Sequence, residues 1–374
     1  MQFKEVIGQQ AIKKRLIDGV LENRVSHAQL FGGPEGVGKL AMAIAYAQFV
    51  NCKNRSATDS CGECPSCKKF KKLIHPDLHF VFPVVKTPKF KEPVSDNYIE
   101  KWREQVVSNP YFNLNMWYKA IDVENAQGKI YVHESSEIIR KLNLKTFEAE
   151  YKVMIIWMAE RMNVQCANKL LKMIEEPPPK TLFILITENE EEIISTIRSR
   201  TQLIKFNGID NESMSSALST LPEAAGKNIS GLVHLANGNY ITALDLLSPD
   251  EEKSFFFEQF TNIMRMSYKR DWMPMFDWVD QISSIGRERQ KSFLLYSMKM
   301  LRENFVMNLK RPDLIYLNDQ EKGFSERFSP FINERNIMVF SDEFEKAYRD
   351  VAQNGNPRLI FLDLSLKITK MIRA

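Results

Sequence analysis

Short runs of apolar residues alternate with segments of helical periodicity over the first 208 residues of the chain. The strands that the apolar runs predict are 27–31, 78–82, 153–157, 182–186 and 203–206. Between the strands, apolar residues recur at intervals of three to four, as in Ile12, Leu16 and Val20, which indicates amphipathic helices. Buried strands that alternate with helices are typical of a parallel sheet covered on both faces. We therefore predict an α/β fold for residues 1–208.

Two helices of this region have clear ends in the sequence. An Ala-rich helix is predicted for residues 39–50. Asn163 can cap a second helix that continues to Glu175, because its side chain can accept a hydrogen bond from the first turn. The three prolines at 177–179 then end this helix.

Residues 84–129 interrupt the alternation and are predicted to be an inserted loop or small subdomain. The segment mixes prolines and basic residues with the aromatic residues Phe90, Tyr98, Trp102, Tyr111, Phe112, Trp117 and Tyr118. Such a mixture could stack on single-stranded nucleic acid. The alternative is a surface excursion that packs on itself.

Strand signals fade after residue 208, and helical patterns continue to the C-terminus. We therefore expect residues 209–374 to be helical. Near the end of the chain, Leu359, Leu362 and Leu366 fall on one helix face.

Composition and charge exclude several classes of protein. The 374 residues include 51 Lys and Arg against 47 Asp and Glu, a formal net charge of +4, which is too small for a histone-like DNA wrapper. No apolar run approaches the roughly 18 residues that span a bilayer, and the N-terminus lacks a basic start followed by an apolar stretch. These patterns predict a cytoplasmic protein of several domains.

Four of the five cysteines predict a metal site. Cys52, Cys61, Cys64 and Cys67 have the spacing C-x8-C-x2-C-x2-C, and four thiolates can close a tetrahedral shell around zinc. Such a closed shell indicates a structural role, with an iron–sulfur cluster as the alternative. Cys166 stands alone in a helical pattern and is predicted to lie in the core.

A glycine-rich phosphate loop follows the first predicted strand. Gly33, Gly36, Gly38 and Lys39 fit the motif in which backbone N–H groups approach phosphate oxygens and a lysine reaches the outer phosphates. The next position, which needs Ser or Thr to bind magnesium, is Leu40.

The second half of the magnesium site is also missing from the sequence. After the strand at 153–156, where an ATPase carries an acidic pair, the chain has Trp157 and Met158, and Glu160 follows two residues too late. The sequence therefore predicts the fold of a nucleotidase without its catalysis. Because much of the loop is kept, weak nucleotide binding without magnesium stays open.

Several segments together resemble the clamp-loader AAA+ family. They are FKEVIGQ at 3–9, HAQLF at 27–31, the phosphate loop, ANKLLKMIEEPP at 167–178 and NGNPRL at 354–359. The resemblance implies an AAA+ core at 1–208 with a zinc knuckle at 52–67, a helical lid at 209–249, and a collar at 250–374 through which subunits assemble. The four cysteines also occupy the place of the zinc knuckle of bacterial clamp loaders.

Within that family, the sequence resembles the subunit type that does not hydrolyse ATP. In the lid motif at 238–244, Ile241 replaces an arginine of the hydrolysing subunits, which adds to the two missing parts of the magnesium site. The family's Ser-Arg-Cys motif is present as Ser199, Arg200 and Thr201, after a predicted short acidic helix at 190–194. The resemblance implies that Arg200 acts on the ATP of a neighbouring subunit.

The resemblance also implies the partners. They are the ATP-hydrolysing gamma/tau subunits and the delta subunit, the sliding clamp, and primed DNA, within the machinery of a DNA-directed DNA polymerase. No catalytic activity is expected of the chain alone.

Three alternatives stay open at this point. The first is an active DNA-dependent ATPase of the same family, and the second is an unrelated zinc-dependent nucleic-acid binder. The third concerns only Arg198 and Arg200, which without the resemblance would be interpreted as surface ion-pair residues.

Overall fold

A five-stranded parallel sheet forms the centre of the N-terminal part of the chain. The computed structural model describes residues 1–123, 128–225, 227–247, 251–309, 315, 317 and 319–373. It divides the chain into two units, Met1–Ser248 and Pro249–Ala374. The strands of the first unit are β1 (Ala28–Gly32), β2 (Leu78–Val81), β3 (Lys152–Trp157), β4 (Thr181–Thr187) and β5 (Gln202–Lys205).

The strand order is β2-β3-β4-β1-β5, and every neighbouring pair is parallel. Leu30 of β1 lies opposite Leu185 of β4 on one side and Leu203 of β5 on the other. All residues of β1, β3 and β4 are buried, as a sheet with helices on both faces requires. The predicted parallel α/β sheet is confirmed.

Eleven helices in the described part of the first unit accompany the sheet. They are α1 (Gln10–Leu21), α2 (Lys39–Val50), α3 (Pro65–Lys71), α4 (Ile99–Ser108), α5 (Leu114–Ala120), α6 (Val132–Asn143), α7 (Val164–Glu175), α8 (Ser195–Arg198), α9 (Asn211–Ser219), α10 (Ile229–Ala236) and α11 (Tyr240–Leu247). Helix α2 is buried along its whole length, which its alanines and apolar residues permit on every face. The Asn163 side chain caps α7 by accepting a hydrogen bond from the N–H of Gln165.

The inserted segment folds around helices α4 and α5. Its ends meet in an antiparallel bridge, where Val84 and Lys129 exchange two backbone hydrogen bonds of 3.1 and 3.0 Å. Trp102 is fully buried and stacks on Phe82 with ring centroids 4.1 Å apart. Of the seven aromatic residues of the segment, Trp102, Tyr111, Phe112, Trp117 and Tyr118 are buried. These rings are therefore not presented to a nucleic acid, and the self-packed alternative is favoured.

The second unit is helical throughout its described residues. Its helices are α12 (Glu251–Lys269), α13 (Trp272–Ser284), α14 (Arg287–Asn308), α15 (Asp319–Phe328), α16 (Ile337–Ala352) and α17 (Pro357–Met371). Its core is aromatic and includes the buried residues Phe260, Trp278, Phe293, Phe340 and Phe361. None of the helices in the described part of the chain is both long and apolar enough to cross a bilayer.

Helix α17 buries a different face from the one that its leucines mark. Phe361, Leu364 and Ile368 point into the core, whereas Leu359 and Leu366 are 65% and 40% exposed. Two of the three leucines predicted to share a face therefore lie on the outside of this unit, whereas Leu362 is partly buried against its core.

Candidate functional site

The phosphate loop connects β1 to α2, and its glycines are needed for its shape. Gly36 and Gly38 have φ angles of +73° and +87°, in the left-handed region that side chains disfavour. A Cβ atom on Gly36 would lie only 1.7 Å from Oδ1 of Asn239, which itself accepts a 2.9 Å hydrogen bond from the N–H of Ile241. The loop is thus packed directly against the start of α11.

The lysine of the loop is directed inward. Its Nζ donates a 2.6 Å hydrogen bond to the carbonyl oxygen of Gly33 and a second to that of Pro34. Burial lowers the pKa of Lys39 to about 8, although the carboxylates of Glu188, Glu160 and Glu35 oppose this effect. Lys39 is therefore bound to its own loop.

The space above the loop is nearly filled by the protein. The remaining cavity has a volume of about 30 Å³, room for about one water molecule. Its apolar lining includes Leu40, Tyr111, Phe112, Trp157, Met158 and Ile241. Sites for small ligands usually have at least roughly 300 Å³. In this conformation the loop has no room for a nucleotide.

The positions expected to hold magnesium carry no oxygen ligands. Leu40, Trp157 and Met158 are all buried at the cavity, and none of their side chains can coordinate a hard cation. The Glu160 carboxylate instead accepts a 3.1 Å hydrogen bond from the backbone N–H of Glu188 through Oε1. Burial raises the pKa of Glu160.

Glu188 is a residue of this site that the sequence reasoning missed. It follows β4 directly and lines the cavity, and burial raises its pKa to about 7 despite the opposing charge of Lys39. Its position after the carboxyl end of a central parallel strand was the available signal, because ligand sites of such sheets gather at that edge.

Arg200 lies at the opposite end of the strands from the phosphate loop. It just precedes β5, whose first residue, Gln202, pairs with Gln29 near the start of β1, whereas the loop follows the last residue of β1. The Nε atom of Arg200 is 3.0 Å from Oε2 of Glu175, and Nη1 donates a 3.1 Å hydrogen bond to the carbonyl oxygen of Thr196. The side chain of Arg200 is about one third exposed, at 35%. Arg200 is thus placed away from the chain's own loop.

The acidic helix predicted at 190–194 is wrong. Residues 190–193 form turns and bends, and the helix of this region is α8, Ser195–Arg198. The Asn189 side chain accepts a hydrogen bond from the N–H of Glu191, a local bond that competes with helix formation. Ser199 follows α8, and its hydroxyl donates to the carbonyl oxygen of Thr196.

The four clustered cysteines converge as the spacing predicts. The Sγ atoms of Cys52, Cys61, Cys64 and Cys67 all lie within 4.8 Å of one another. The Cys52–Cys61 and Cys61–Cys67 sulfur separations are 3.5 and 3.9 Å. These bracket the edge of about 3.8 Å of a tetrahedron with metal–sulfur bonds of about 2.3 Å. The donor set therefore fits a metal ion that prefers four thiolates.

Local hydrogen bonds support this arrangement of sulfur atoms. The backbone N–H groups of Cys61, Cys64 and Cys67 donate to the sulfurs of Cys52, Cys61 and Cys64, respectively. Hydrogen bonds from the N–H groups of Cys64 and Glu63 lower the pKa of Cys61 to about 6. Cys166 is buried in a separate apolar cluster, as predicted for a core residue.

Comparison of the chain with known proteins finds a matching protein family. Residues 8–210 match the family model described as "DNA polymerase III, delta subunit". The chain is 29% identical over 259 residues to DNA polymerase III subunit tau of Bacillus subtilis, covering 68% of this chain and 38% of that protein. It is 27% identical over 243 residues to subunit delta' of the same organism, covering 65% of this chain and 60% of that protein. Each match thus spans less than two thirds of the length of the relative.

A solved structure resembles the chain along its length. It is a DNA polymerase III gamma subunit-related protein of Thermotoga maritima, with a TM-score of 0.43 and 14% sequence identity, covering 98% of this chain and 100% of that one.

Proposed function

Because the chain belongs to the DNA polymerase III, delta subunit family, we propose that it is a non-hydrolysing clamp-loader subunit of the delta-prime type. In this role it supports the loading of a sliding clamp onto primed DNA during replication. The observation that carries the proposal is the phosphate loop, above which the chain's own side chains leave a cavity of only about 30 Å³. We expect the protein to act in the cytoplasm with gamma/tau and delta subunits.

The chemistry of phosphoryl transfer supports the absence of turnover. Such enzymes rely on magnesium to neutralise charge on the phosphates, and on an acidic residue to hold that magnesium. Leu40, Trp157 and Met158 leave three apolar side chains at those positions. Lys39, which would contact the outer phosphates, binds carbonyl oxygens of its own loop instead.

The second candidate is an active gamma/tau-like ATPase of the same family. The 29% identity to a tau subunit favours it, as does the retention of Gly38 and Lys39 in the loop. It would require the side chains that fill the cavity to leave and a new set of oxygen ligands to replace Leu40, Trp157 and Met158. The first candidate needs neither change.

Arg200 is the residue through which the chain contributes to hydrolysis elsewhere. A guanidinium is permanently charged and can donate two parallel hydrogen bonds to phosphate oxygens. Arg200 lies at the strand ends that point away from its own loop, with Ser199 beside it. Its ion pair with Glu175 is exposed and contributes about 0–1 kcal/mol, so that exchange for a neighbour's phosphate is not costly.

The remaining parts of the chain have supporting roles. We propose that Cys52, Cys61, Cys64 and Cys67 bind a structural zinc ion, since they form a closed shell of four sulfurs. We also propose that residues 250–374 form the collar through which subunits assemble. The exposed leucines of α17, Leu359 and Leu366, are surfaces that such an assembly could cover.

ATP turnover by the purified chain separates the two candidates. We expect no turnover above background for the wild type. The variant Leu40→Thr should stay inactive as well, because a single hydroxyl does not replace the acidic pair missing at Trp157 and Met158. A phosphate-release assay measures both rates, with a gamma/tau-type subunit as the positive control. Turnover by the wild-type chain free of contaminating ATPase would favour the second candidate.

A further inference from the structure

The inserted segment reaches the phosphate loop through two adjacent aromatic residues. Tyr111 and Phe112 lie between α4 and α5, and both line the small cavity above the loop. A Cβ atom placed on Gly38 would be only 3.0 Å from Cε1 and from Oη of Tyr111. The tyrosine ring therefore lies directly against Gly38 and borders the same cavity as the loop.

Tyr111 also contacts two other segments that border the loop. Its hydroxyl oxygen accepts a 2.9 Å hydrogen bond from the backbone N–H of Ile7. Its ring packs edge-on against Tyr240, the first residue of α11, with centroids 4.9 Å apart. Tyr240 in turn donates a 3.1 Å hydrogen bond from its backbone N–H to the carbonyl oxygen of Gly36. One side chain thus joins the N-terminal segment, the loop and α11.

The residue next to Tyr111, Phe112, belongs to a buried aromatic cluster of the insertion. Trp102 packs edge-on against both Phe112 and Trp117, at centroid separations of 5.5 and 5.2 Å. The indole N–H of Trp117 donates a 2.9 Å hydrogen bond to the carbonyl oxygen of Pro83, beside the point where the segment leaves the sheet. Because these large rings are buried and pack against one another, Tyr111 is attached to a well-packed part of the insertion.

We infer that the insertion at 84–129 is a tethered internal occupant of the former nucleotide site, in which Tyr111 fixes the N-terminal segment and α11 in one position. An external ligand stabilises one conformation only while it is bound. A group on the same chain acts at a high effective concentration and does not dissociate into solution. The inference rests on the proposed function only in regarding the loop as a former nucleotide site.

Hydrogen exchange of the isolated full-length chain, followed by mass spectrometry, tests the inference. In Tyr111→Phe, the peptide that contains Ile7 should exchange faster, by about tenfold at that amide, because its acceptor is lost while the ring stays. In Tyr111→Ala, the peptides covering α11 should exchange faster as well, because Tyr240 loses its packing partner.

The control variant is Tyr118→Phe. Tyr118 lies in the same insertion and accepts a hydrogen bond from the N–H of Gly128, and it does not line the cavity. This change should leave both Ile7 and α11 at wild-type exchange rates. Adding ADP or ATP to the wild-type chain should also leave the exchange of the loop unchanged.

Three results would overturn the inference. They are wild-type exchange at Ile7 in Tyr111→Phe, wild-type exchange of α11 in a folded Tyr111→Ala, and slowed exchange of the loop on adding nucleotide. If Tyr111→Ala does not fold, the other two measurements still decide. The exchange rates of the variants involve no partner subunit and no turnover, so they can fail while the proposed role of Arg200 holds, and the reverse.

Discussion

The buried ammonium group of Lys39 is influenced by the charges of two buried carboxylates of the same site, Glu188 and Glu160. Burial lowers the pKa of Lys39 to about 8 and raises that of Glu188 to about 7, while the attraction between the two groups opposes both shifts. Glu160 adds a second buried carboxylate. A lysine that the motif assigns to phosphate is here balanced by the protein's own acids.

A second buried residue, Glu134, leads to a prediction of how the stability of the fold depends on pH. It is 1% exposed, and burial raises its pKa to about 7, although Oε2 accepts hydrogen bonds of 2.7 and 3.0 Å from the backbone N–H and hydroxyl of Ser95. The folded chain therefore binds this proton more tightly than the unfolded chain, whose glutamate has its ordinary pKa of about 4.5. The contribution of Glu134 to the free energy of unfolding is complete below about pH 4.5 and is lost as the pH rises through about 7.

Replacing Glu134 by Gln should remove that dependence. The wild type should lose roughly 3 kcal/mol more unfolding free energy than Glu134→Gln between pH 4.5 and 8. Urea denaturation across this range measures the difference. The comparison cancels His79, whose pKa burial lowers to about 4 and whose contribution has the opposite sign. Parallel pH profiles for the two proteins would contradict the prediction.

At the scale of single elements, the strands were the most predictable part of the chain. Each observed strand agrees with its predicted apolar run to within one residue at either end. For β1, β3 and β4 the reason is that strands buried on both faces are rich in apolar residues along their length. The helix expected at 190–194 fails because Asn189 bonds to the following backbone, a local geometry that acidic composition does not reveal. The leucines of α17 show that spacing identifies a helix face without saying whether the core lies against it.

The candidate site was predictable only in part, for a related reason. The glycines, Lys39 and the four cysteines are local in sequence, and motif spacing identifies them. Tyr111 meets the loop from more than 70 positions away, since its contact is with Gly38. Glu188 and Glu160 meet only because β4 and β3 are neighbours in the sheet. Such pairs depend on tertiary packing, which a single sequence does not encode in any short pattern.

The cluster of four cysteines leads to the next prediction, for the segment that contains it. Changing Cys64 to Ser should release the metal, because Cys64 both belongs to the sulfur cluster and caps α3 through the N–H of Cys67. Elemental analysis should find one zinc ion per wild-type chain and less than one in the variant. Proteolysis should become faster within 52–67 while the sheet stays intact.

Cys166→Ala is the matched control for that experiment. Cys166 is a buried cysteine outside the cluster, so this variant should keep its zinc. An iron–sulfur absorbance in the wild type, or full zinc retention in Cys64→Ser, would contradict the prediction.

At the scale of the whole molecule, the two ends of the strands have different roles in the proposed complex. The loop end is closed by the protein itself, whereas the opposite end carries Arg200 in an exposed and weak ion pair. In the proposed role, such a subunit would contribute charge to a neighbour's reaction and would need no reaction of its own.

Replacing Arg200 by Ala tests this role in the assembled complex. DNA-stimulated ATP hydrolysis should fall, because one catalytic site loses a positive charge that is worth about 10³–10⁵ in rate in related phosphoryl-transfer systems. Assembly, zinc content and the fold should be unchanged, since the side chain is partly exposed. Arg198→Ala, an exposed arginine of α8, should have a smaller effect. Wild-type hydrolysis and clamp loading by the Arg200→Ala complex would show that Arg200 is an ordinary surface charge.

The bridge between Val84 and Lys129 joins the two ends of the insertion. Its two backbone hydrogen bonds bring the entry and exit of the segment side by side, so the surrounding chain continues across a gap that a tight turn can close. Joining such neighbouring ends costs little loop entropy. Shortening the segment to a tight turn is therefore compatible with the backbone at this point, but it would uncover Phe82, on which Trp102 stacks, and would remove Tyr111 from its position beside Gly38.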